Sequence, residues 1–290
     1  MFERLEDGHH GLSIVRGTTP DGGRFTVHEQ GAHITEWTPA GEEPVLFTSA
    51  YARYEPRVAI RGGIPICFPW FANGRKDNKS PAHGFARLAT WQLLEGRENN
   101  GVTTLQWRLD PTMIPRLDGI DPDRNRFVLT CTQTFGTDLQ VSLRIHNTDE
   151  VPLVVEEALH TYLRVGDVRQ ATVLGLAGTE ILSRRTGTWD TQIGPVTFAE
   201  EVDQIHWVSS GVTELHDPAL GRRIIQTATN SSNTVVWNPW AENAAELGDL
   251  GDDEWTEFVC VETANVRNKA IHLNPGQAHE LDLTIAVAPL

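Results

Sequence analysis

The chain has 290 residues, 39% hydrophobic and 22% charged, with 24 basic against 39 acidic side chains and a formal net charge of -15. This balance fits a globular protein with a sizeable core. It disfavours nucleic acid or an anionic membrane surface as a partner, because both need a basic footprint. The same acidity repels anionic small molecules, so any phosphate pocket has to be locally basic.

The N-terminus, Met1-Phe2-Glu3-Arg4-Leu5-Glu6-Asp7, lacks the apolar core of a signal peptide. No run approaches the ~18 apolar residues of a membrane span. His9-His10 sits near the terminus and is read as mobile. Thr19-Pro20-Asp21-Gly22-Gly23 is the first clear turn. In Arg57-Val58-Ala59-Ile60-Arg61, the alternation of Arg61 with Val58 and Ile60 points Arg61 away from the core. Gly62-Gly63 then lets the backbone approach something closely. Arg61-Gly62-Gly63-Ile64-Pro65-Ile66-Cys67-Phe68-Pro69-Trp70-Phe71 and Ala82-His83-Gly84-Phe85-Ala86-Arg87 put two arginines, a histidine and several rings close together in sequence. Such a set suits a concave site for an anionic small molecule with an apolar ring face. A guanidinium is a planar fork matched to phosphate or carboxylate oxygens. Trp70, Phe71 and Phe85 are either core rings or a platform for that face.

Further along, Glu98-Asn99-Asn100-Gly101 is a turn, and 110–126, with Pro111, Pro115, Gly119 and Pro122, reads as loop. Gln140-Val141-Ser142-Leu143-Arg144-Ile145-His146 alternates as a half-buried strand does. Read as one strand, 151–165 carries Val151, Leu153, Val155, Leu159, Leu163 and Val165 on one face, and Glu156, His160, Tyr162 and Arg164 on the other. The second face is either solvated or the floor of a cleft. Glu157-x-x-His160 has the spacing of a di-iron motif, but on a strand an odd spacing separates the two residues, so no metal is expected. Asp203 is either a surface acid or an acceptor for a sugar hydroxyl. Thr234-Val235-Val236-Trp237 and Glu257-Phe258-Val259-Cys260-Val261 are short strands, and Ala241 to Leu247 forms one short helix ending near Gly248. Glu262 follows four apolar residues. It either points to water or is desolvated, and a desolvated carboxyl makes a better base near neutrality.

Three widely spaced cysteines, Cys67, Cys131 and Cys260, read as buried free thiols in a reducing compartment, so a cytoplasmic location is expected. There is no HExxH, CxxC, G-x-S-x-G, P-loop or G-x-G-x-x-G, and no cofactor is expected. The pattern predicts an all-β chain, a single large antiparallel β-sandwich domain over 1–290 with few short helices.

These residues resemble the hexose-6-phosphate 1-epimerases, a branch of the aldose 1-epimerase (galactose mutarotase) superfamily. The match runs through Arg61-Gly62-Gly63-Ile64-Pro65, Phe68-Pro69-Trp70-Phe71, His83-Gly84-Phe85-Ala86-Arg87, Leu159-His160-Thr161-Tyr162-Leu163, Val202-Asp203, Trp237-Asn238-Pro239-Trp240 and Cys260-Val261-Glu262-Thr263-Ala264-Asn265. The resemblance implies a galactose mutarotase-like supersandwich, a monomer acting on a small-molecule sugar phosphate. It implies His160 and Glu262 as the catalytic pair, with Glu262 taking the proton of the anomeric hydroxyl and protonated His160 giving one to the ring oxygen. It implies Arg61 and Arg87 for the 6-phosphate, His83 and Asp203 for sugar hydroxyls or ring substituents, and Trp70 and Phe85 over the sugar face. One departure is Ala82, where related sequences usually carry glutamine; it puts the exact sugar in doubt. Rival readings are a mutarotase for unphosphorylated aldoses, a non-catalytic carbohydrate-binding protein on the same scaffold, and a metal-dependent β-sandwich enzyme, which the ligand spacing disfavours.

Overall fold

The computed structural model describes residues 1–9, 11–114, 126–207 and 211–290. The readings of His10 as mobile and of 115–125 as loop lie outside the described residues. Among them the regular structure is mostly antiparallel strand, with one α-helix, Trp240–Ala244, where one short helix is expected. Strands Phe2–His9, Leu12–Thr18, Arg24–His28 and His33–Thr38 form a four-stranded sheet in chain order. A nine-stranded sheet has at its centre Arg222–Thr229, Ala278–Pro289, Leu139–Asn147 and Phe127–Phe135, side by side. An eight-stranded sheet runs Trp189–Thr191, Glu180–Ser183, Val202–Trp207, Asn233–Asn238, Phe258–Asn265, Glu157–Leu159 and Ile66–Cys67, with Tyr162–Arg164 also paired to Phe258–Asn265.

Alternation decides which way the strands of the nine-stranded sheet face. Leu129, Cys131, Leu143 and Ile145 are fully buried, while Gln140 and Arg144 between them point to solvent. All eight residues of Phe258–Asn265 are buried, so this strand is covered on both faces. Val259 and Val261 join the main core. There the two large sheets are tied together by Gln226 Nε2, which donates to the Val261 carbonyl at 3.2 Å, and by Arg222 Nη2, which donates to the Arg164 carbonyl at 3.0 Å. On the other face a small second cluster, with Phe71, Ala158, Ile205, Val235 and Ala264, packs beside Glu262. The three cysteines are free and buried, as their apolar contexts imply.

The 151–165 segment is not one strand. It breaks into Leu153–Val155, Glu157–Leu159 and Tyr162–Arg164, and the first of these pairs with Ile271–Leu273 in a separate two-stranded sheet. From 155 to 163 both its faces are covered, and Glu156, Glu157, His160 and Tyr162 are all buried. Glu157 is held by His279 Nε2 at 2.9 Å and by Asn265 Nδ2 at 2.8 Å, across the sheet from His160.

What Gly62 and Gly63 approach is protein backbone rather than a ligand. Gly63 has φ 64°, and a Cβ there would overlap the Ile34 carbonyl oxygen and crowd the His33 ring. Gly22 also has positive φ, at 102°, but open space around it. Gly63→Ala should therefore cost about 3 kcal/mol or more in urea unfolding. Gly22→Ala should cost only the backbone penalty of about 1–2 kcal/mol. Equal losses at the two positions would show that the close approach at Gly63 is not tight.

Candidate active site

The floor of the site follows from strand register. Leu159 pairs with Thr263 and Tyr162 with Cys260, so the two ladders beside Phe258–Asn265 share one register across the break between them. That register puts His160 opposite Glu262. The break is stitched by Val261 N–H donating to the Thr161 carbonyl and His160 N–H donating to Pro65. Directly opposite residues share a face, as do residues two apart. One row is therefore Tyr162, Cys260, Trp237 and Asp203, which are successive partners across three ladders. Arg184 extends it, its N–H donating to the Asp203 carbonyl. The adjacent row starts with His160 and Glu262. Seven side chains from widely separated parts of the chain thus reach one patch of one sheet face.

His160 Nε2 lies 3.4 Å from Glu262 Oε1, with the two side chains 8% and 1% exposed. His160 Nδ1 and Glu262 Oε2 are buried without protein partners among the described residues. Burial, reinforced by the cations Arg87, Arg61 and Arg184, pushes the imidazole well below its ordinary 6.5. Burial, then the negative charge of Asp203, pushes the carboxyl well above its ordinary 4.5. With no ligand bound, both effects favour a neutral pair, with the shared proton on Glu262.

The His160 ring stacks on Tyr162, with centroids 4.9 Å apart and planes 9° from parallel, and meets Trp237 edge-on at 6.1 Å and His83 at 5.3 Å. His83 sits at φ 64°, a costly backbone state for a residue with a Cβ. Its Nδ1 accepts from the Ala72 N–H at 3.4 Å and lies 3.3 Å from Cys67 Sγ. A neutral His83 therefore carries its proton on Nε2. Gly84 follows at φ 73°, where a Cβ would overlap the Phe68 carbonyl.

Three guanidiniums surround the pair. Arg61 Nε and Nη2 donate to Asp249 Oδ1 at 3.1 and 3.0 Å, and its Nη1 donates to the Tyr162 hydroxyl at 3.0 Å. Arg184 pairs with Asp203 at 3.3 Å and lies 5.7 Å from the centre of the Phe71 ring. Arg87 differs: its Nη2 donates to the Ala82 carbonyl at 2.8 Å, and its Nε is buried with no partner. Burial lowers the Arg87 pKa, and its charge acts on His160, His83, Cys67 and Glu262. His160, Glu262, Arg61, His83, Arg87 and Asp203 are thus brought together. Trp70 and Phe85 are not. Both belong to the core, packed edge-on at 5.9 Å, with Phe85 at 6.1 Å from Phe68 and 6.2 Å from Phe127. The rings beside His160 are Tyr162 and Trp237. Tyr162 shares the polar face of the 151–165 segment and Trp237 lies in a quoted motif, but only register places them. Arg184 and Asp249 leave no motif at all.

A buried His–Glu pair with aromatic walls, on one face of an all-β sandwich and ringed by guanidiniums, can move protons on a polar, ring-shaped small molecule. The chain belongs to the aldose 1-epimerase family, whose model matches residues 14–286. It is 34% identical over 237 residues, 81% of this chain and 77% of the relative, to an Escherichia coli (strain K12) protein named "Putative glucose-6-phosphate 1-epimerase". A Salmonella typhimurium protein of the same name is 32% identical over 263 residues, 89% and 85% of the two chains. Among solved structures, a Salmonella typhimurium "putative mutarotase" superposes with TM-score 0.89 at 28% identity, covering 100% of this chain and 94% of that one. A Lactobacillus acidophilus galactose 1-epimerase shares the fold, with TM-score 0.72 at 12% identity over 100% and 98% of the chains.

Behind the arginines, His33 Nε2 donates to the Gly62 carbonyl at 2.7 Å, and burial holds its pKa at about 4. The unfolded chain protonates this imidazole near 6.5 and the folded one only near 4. Its contribution to stability is thus complete above pH 6.5 and is lost as pH falls toward 4. Ring-nitrogen NMR of the ligand-free protein at pH 5.5 should show a neutral Nε2–H tautomer at His33. An imidazolium signal there would contradict this.

Proposed function

We propose that the protein is a cofactor-independent mutarotase for a hexose 6-phosphate, with glucose 6-phosphate as the foremost candidate. The observation that carries this reading is the buried His160–Glu262 pair, with one nitrogen and one oxygen unpaired among the described residues, beside a guanidinium that has no carboxylate partner among them. Anomer exchange needs a proton removed from the O1 hydroxyl and one delivered to the ring oxygen, with no net change. Glu262 takes the first and His160 gives the second. The ring opens to the aldehyde, the C1–C2 bond rotates, and reclosure runs the two transfers backwards. A pair that holds one proton between two ends can run both directions.

Charge supports a phosphorylated substrate. Arg87, Arg61 and Arg184 depress His160. A phosphate among them offsets that field and moves the shared proton toward His160, the state the ring-opening step needs. His83 and Asp203 line the same site and suit sugar hydroxyls, with Tyr162 and Trp237 as the apolar wall. The carbonyl of Ala82 anchors Arg87, so this departure from the resembling sequences still contributes through its backbone. A second reading, a mutarotase for unphosphorylated aldoses, is favoured by one observation: Arg61 is already neutralised by Asp249.

Magnetisation-transfer NMR of anomer exchange in glucose 6-phosphate, with glucose as the comparison, separates the two readings. Faster exchange for the phosphosugar alone is expected. Faster exchange for glucose alone would select the second reading, and none for either would remove both. Glu262→Gln should lower the enzymatic rate at least about 100-fold while the fold is retained. Arg87→Met should weaken glucose 6-phosphate about tenfold more than glucose.

A further inference from the structure

Arg61 is the most fully engaged of the three guanidiniums. A guanidinium has five N–H donors, and the Nε/Nη2 edge is the fork that grips an anion with two parallel bonds. That edge is occupied by Asp249, through Nε to Oδ1 at 3.1 Å and Nη2 to Oδ1 and Oδ2 at 3.0 and 3.3 Å. The Tyr162 hydroxyl takes a donor of Nη1, and Tyr162 in turn stacks on His160. The two charged side chains are only 21% and 18% exposed, so solvent screens their attraction incompletely.

Asp249 is also held in place. It sits in Gly248-Asp249-Leu250-Gly251, between the helix Trp240–Ala244 and the 3-10 turn Glu254–Glu257. Leu250, next to it, is 4% exposed and belongs to the core. Gly251 N–H donates to Glu254 Oε2 at 2.7 Å, and the same carboxylate receives the Ala50 N–H at 2.8 Å and the Ser49 hydroxyl at 2.5 Å. Ser49 N–H in turn donates to the Arg61 carbonyl at 3.1 Å. The carboxylate is therefore a fixed part of the rim rather than a swinging chain. Asp252 and Asp253 follow it, exposed, and add negative potential on that side.

We propose that Asp249 is a specificity-determining residue: as a built-in counter-ion on Arg61 it sets how anionic a substrate the site accepts. A phosphate has to share Arg61 with Asp249 and bears its repulsion, while Arg87, with no carboxylate partner among the described residues, is the less contested anion contact. An uncharged sugar feels neither effect. This rests on the hexose-phosphate reading and deepens it. Asp249 acts through Arg61 and needs no contact with the reacting atoms.

The test is Asp249→Asn, which keeps the shape and removes the charge, alongside Asp249→Glu, Arg61→Ala and the Arg61→Ala/Asp249→Asn double variant. Binding of inorganic phosphate is measured by calorimetry, and KM and kcat for glucose 6-phosphate and glucose by NMR exchange. Asp249→Asn should tighten phosphate about tenfold and lower the glucose 6-phosphate KM by a similar factor, with a smaller change for glucose. Asp249→Glu should restore wild-type discrimination, and the gain should vanish when Arg61 is absent. Weaker phosphate binding in Asp249→Asn would overturn the proposal, because Asp249 would then be aiming Arg61 at the anion. Equal shifts for the two sugars would overturn it as well. If wild-type protein ignores phosphate and glucose 6-phosphate but Asp249→Asn binds them, the hexose-phosphate reading fails and the role of Asp249 stands. If both proteins ignore them, both fail.

Discussion

The shared register that runs past the break at His160 and Thr161 is the constraint on which the site depends. A strand has period two, so a slip of one residue would send Glu262 into the main core and Val261 into the site. That slip would place a carboxylate among Val259, Leu163 and Val236, where nothing pairs with it, at a cost of several kcal/mol. The core side of Phe258–Asn265 thus enforces the position of Glu262 on the other side. The packing that stabilises the sandwich is also what aims the carboxyl at His160.

The register on the other side also runs past the break. Leu159 pairs with Ile66, His160 N–H donates to the Pro65 carbonyl, and Tyr162 N–H donates to the Gly63 carbonyl, in one continuing register. The arginine- and glycine-rich segment from Arg61 is thereby joined to the strand segment that carries His160. Close backbone approaches at Gly63 and Gly84 press this segment down against Ile34 and Phe68. The chemistry sits on a rigid floor, and the cations sit on turns pressed onto it.

Much of this was legible in sequence, and what was not has a common cause. Alternation in 140–146 and the apolar run before Glu262 are local signals, and both gave strands in the right places. The grouping of His160, Glu262, Arg61, His83, Arg87 and Asp203 followed from motif order, which a family resemblance carries. Trp70 and Phe85 lie in the core, and sequence leaves both alternatives open because a ring in a glycine-rich segment looks the same whether it turns inward or outward. Phe85 turns inward onto Phe68 and Phe127. Tyr162 and Trp237 take the wall position because register, not proximity in sequence, makes them neighbours of His160. Arg184 enters the site as the continuation of the Asp203 row, and Asp249 as a turn held by Glu254. Neither fact exists in one dimension.

The electrostatics of the site follow from the same geometry. A chain with net charge -15 concentrates three guanidiniums around one buried acid/base pair and then gives two of them carboxylate partners. Three unpaired guanidiniums at this depth would bind small anions indiscriminately. Three fully paired ones would leave an anionic substrate no foothold. Arg87, with no carboxylate partner among the described residues, is the intermediate solution. One net positive charge lies close to the pair, enough to attract an anion, while Arg61 is balanced by Asp249 on the rim and Arg184 by Asp203 on the floor. The floor residues are fixed by the core and cannot change without cost to the fold, whereas Asp249 and Ala82 lie on turns. On the proposed reading, substrate choice is therefore free to vary on this sandwich while the His160–Glu262 pair stays in place.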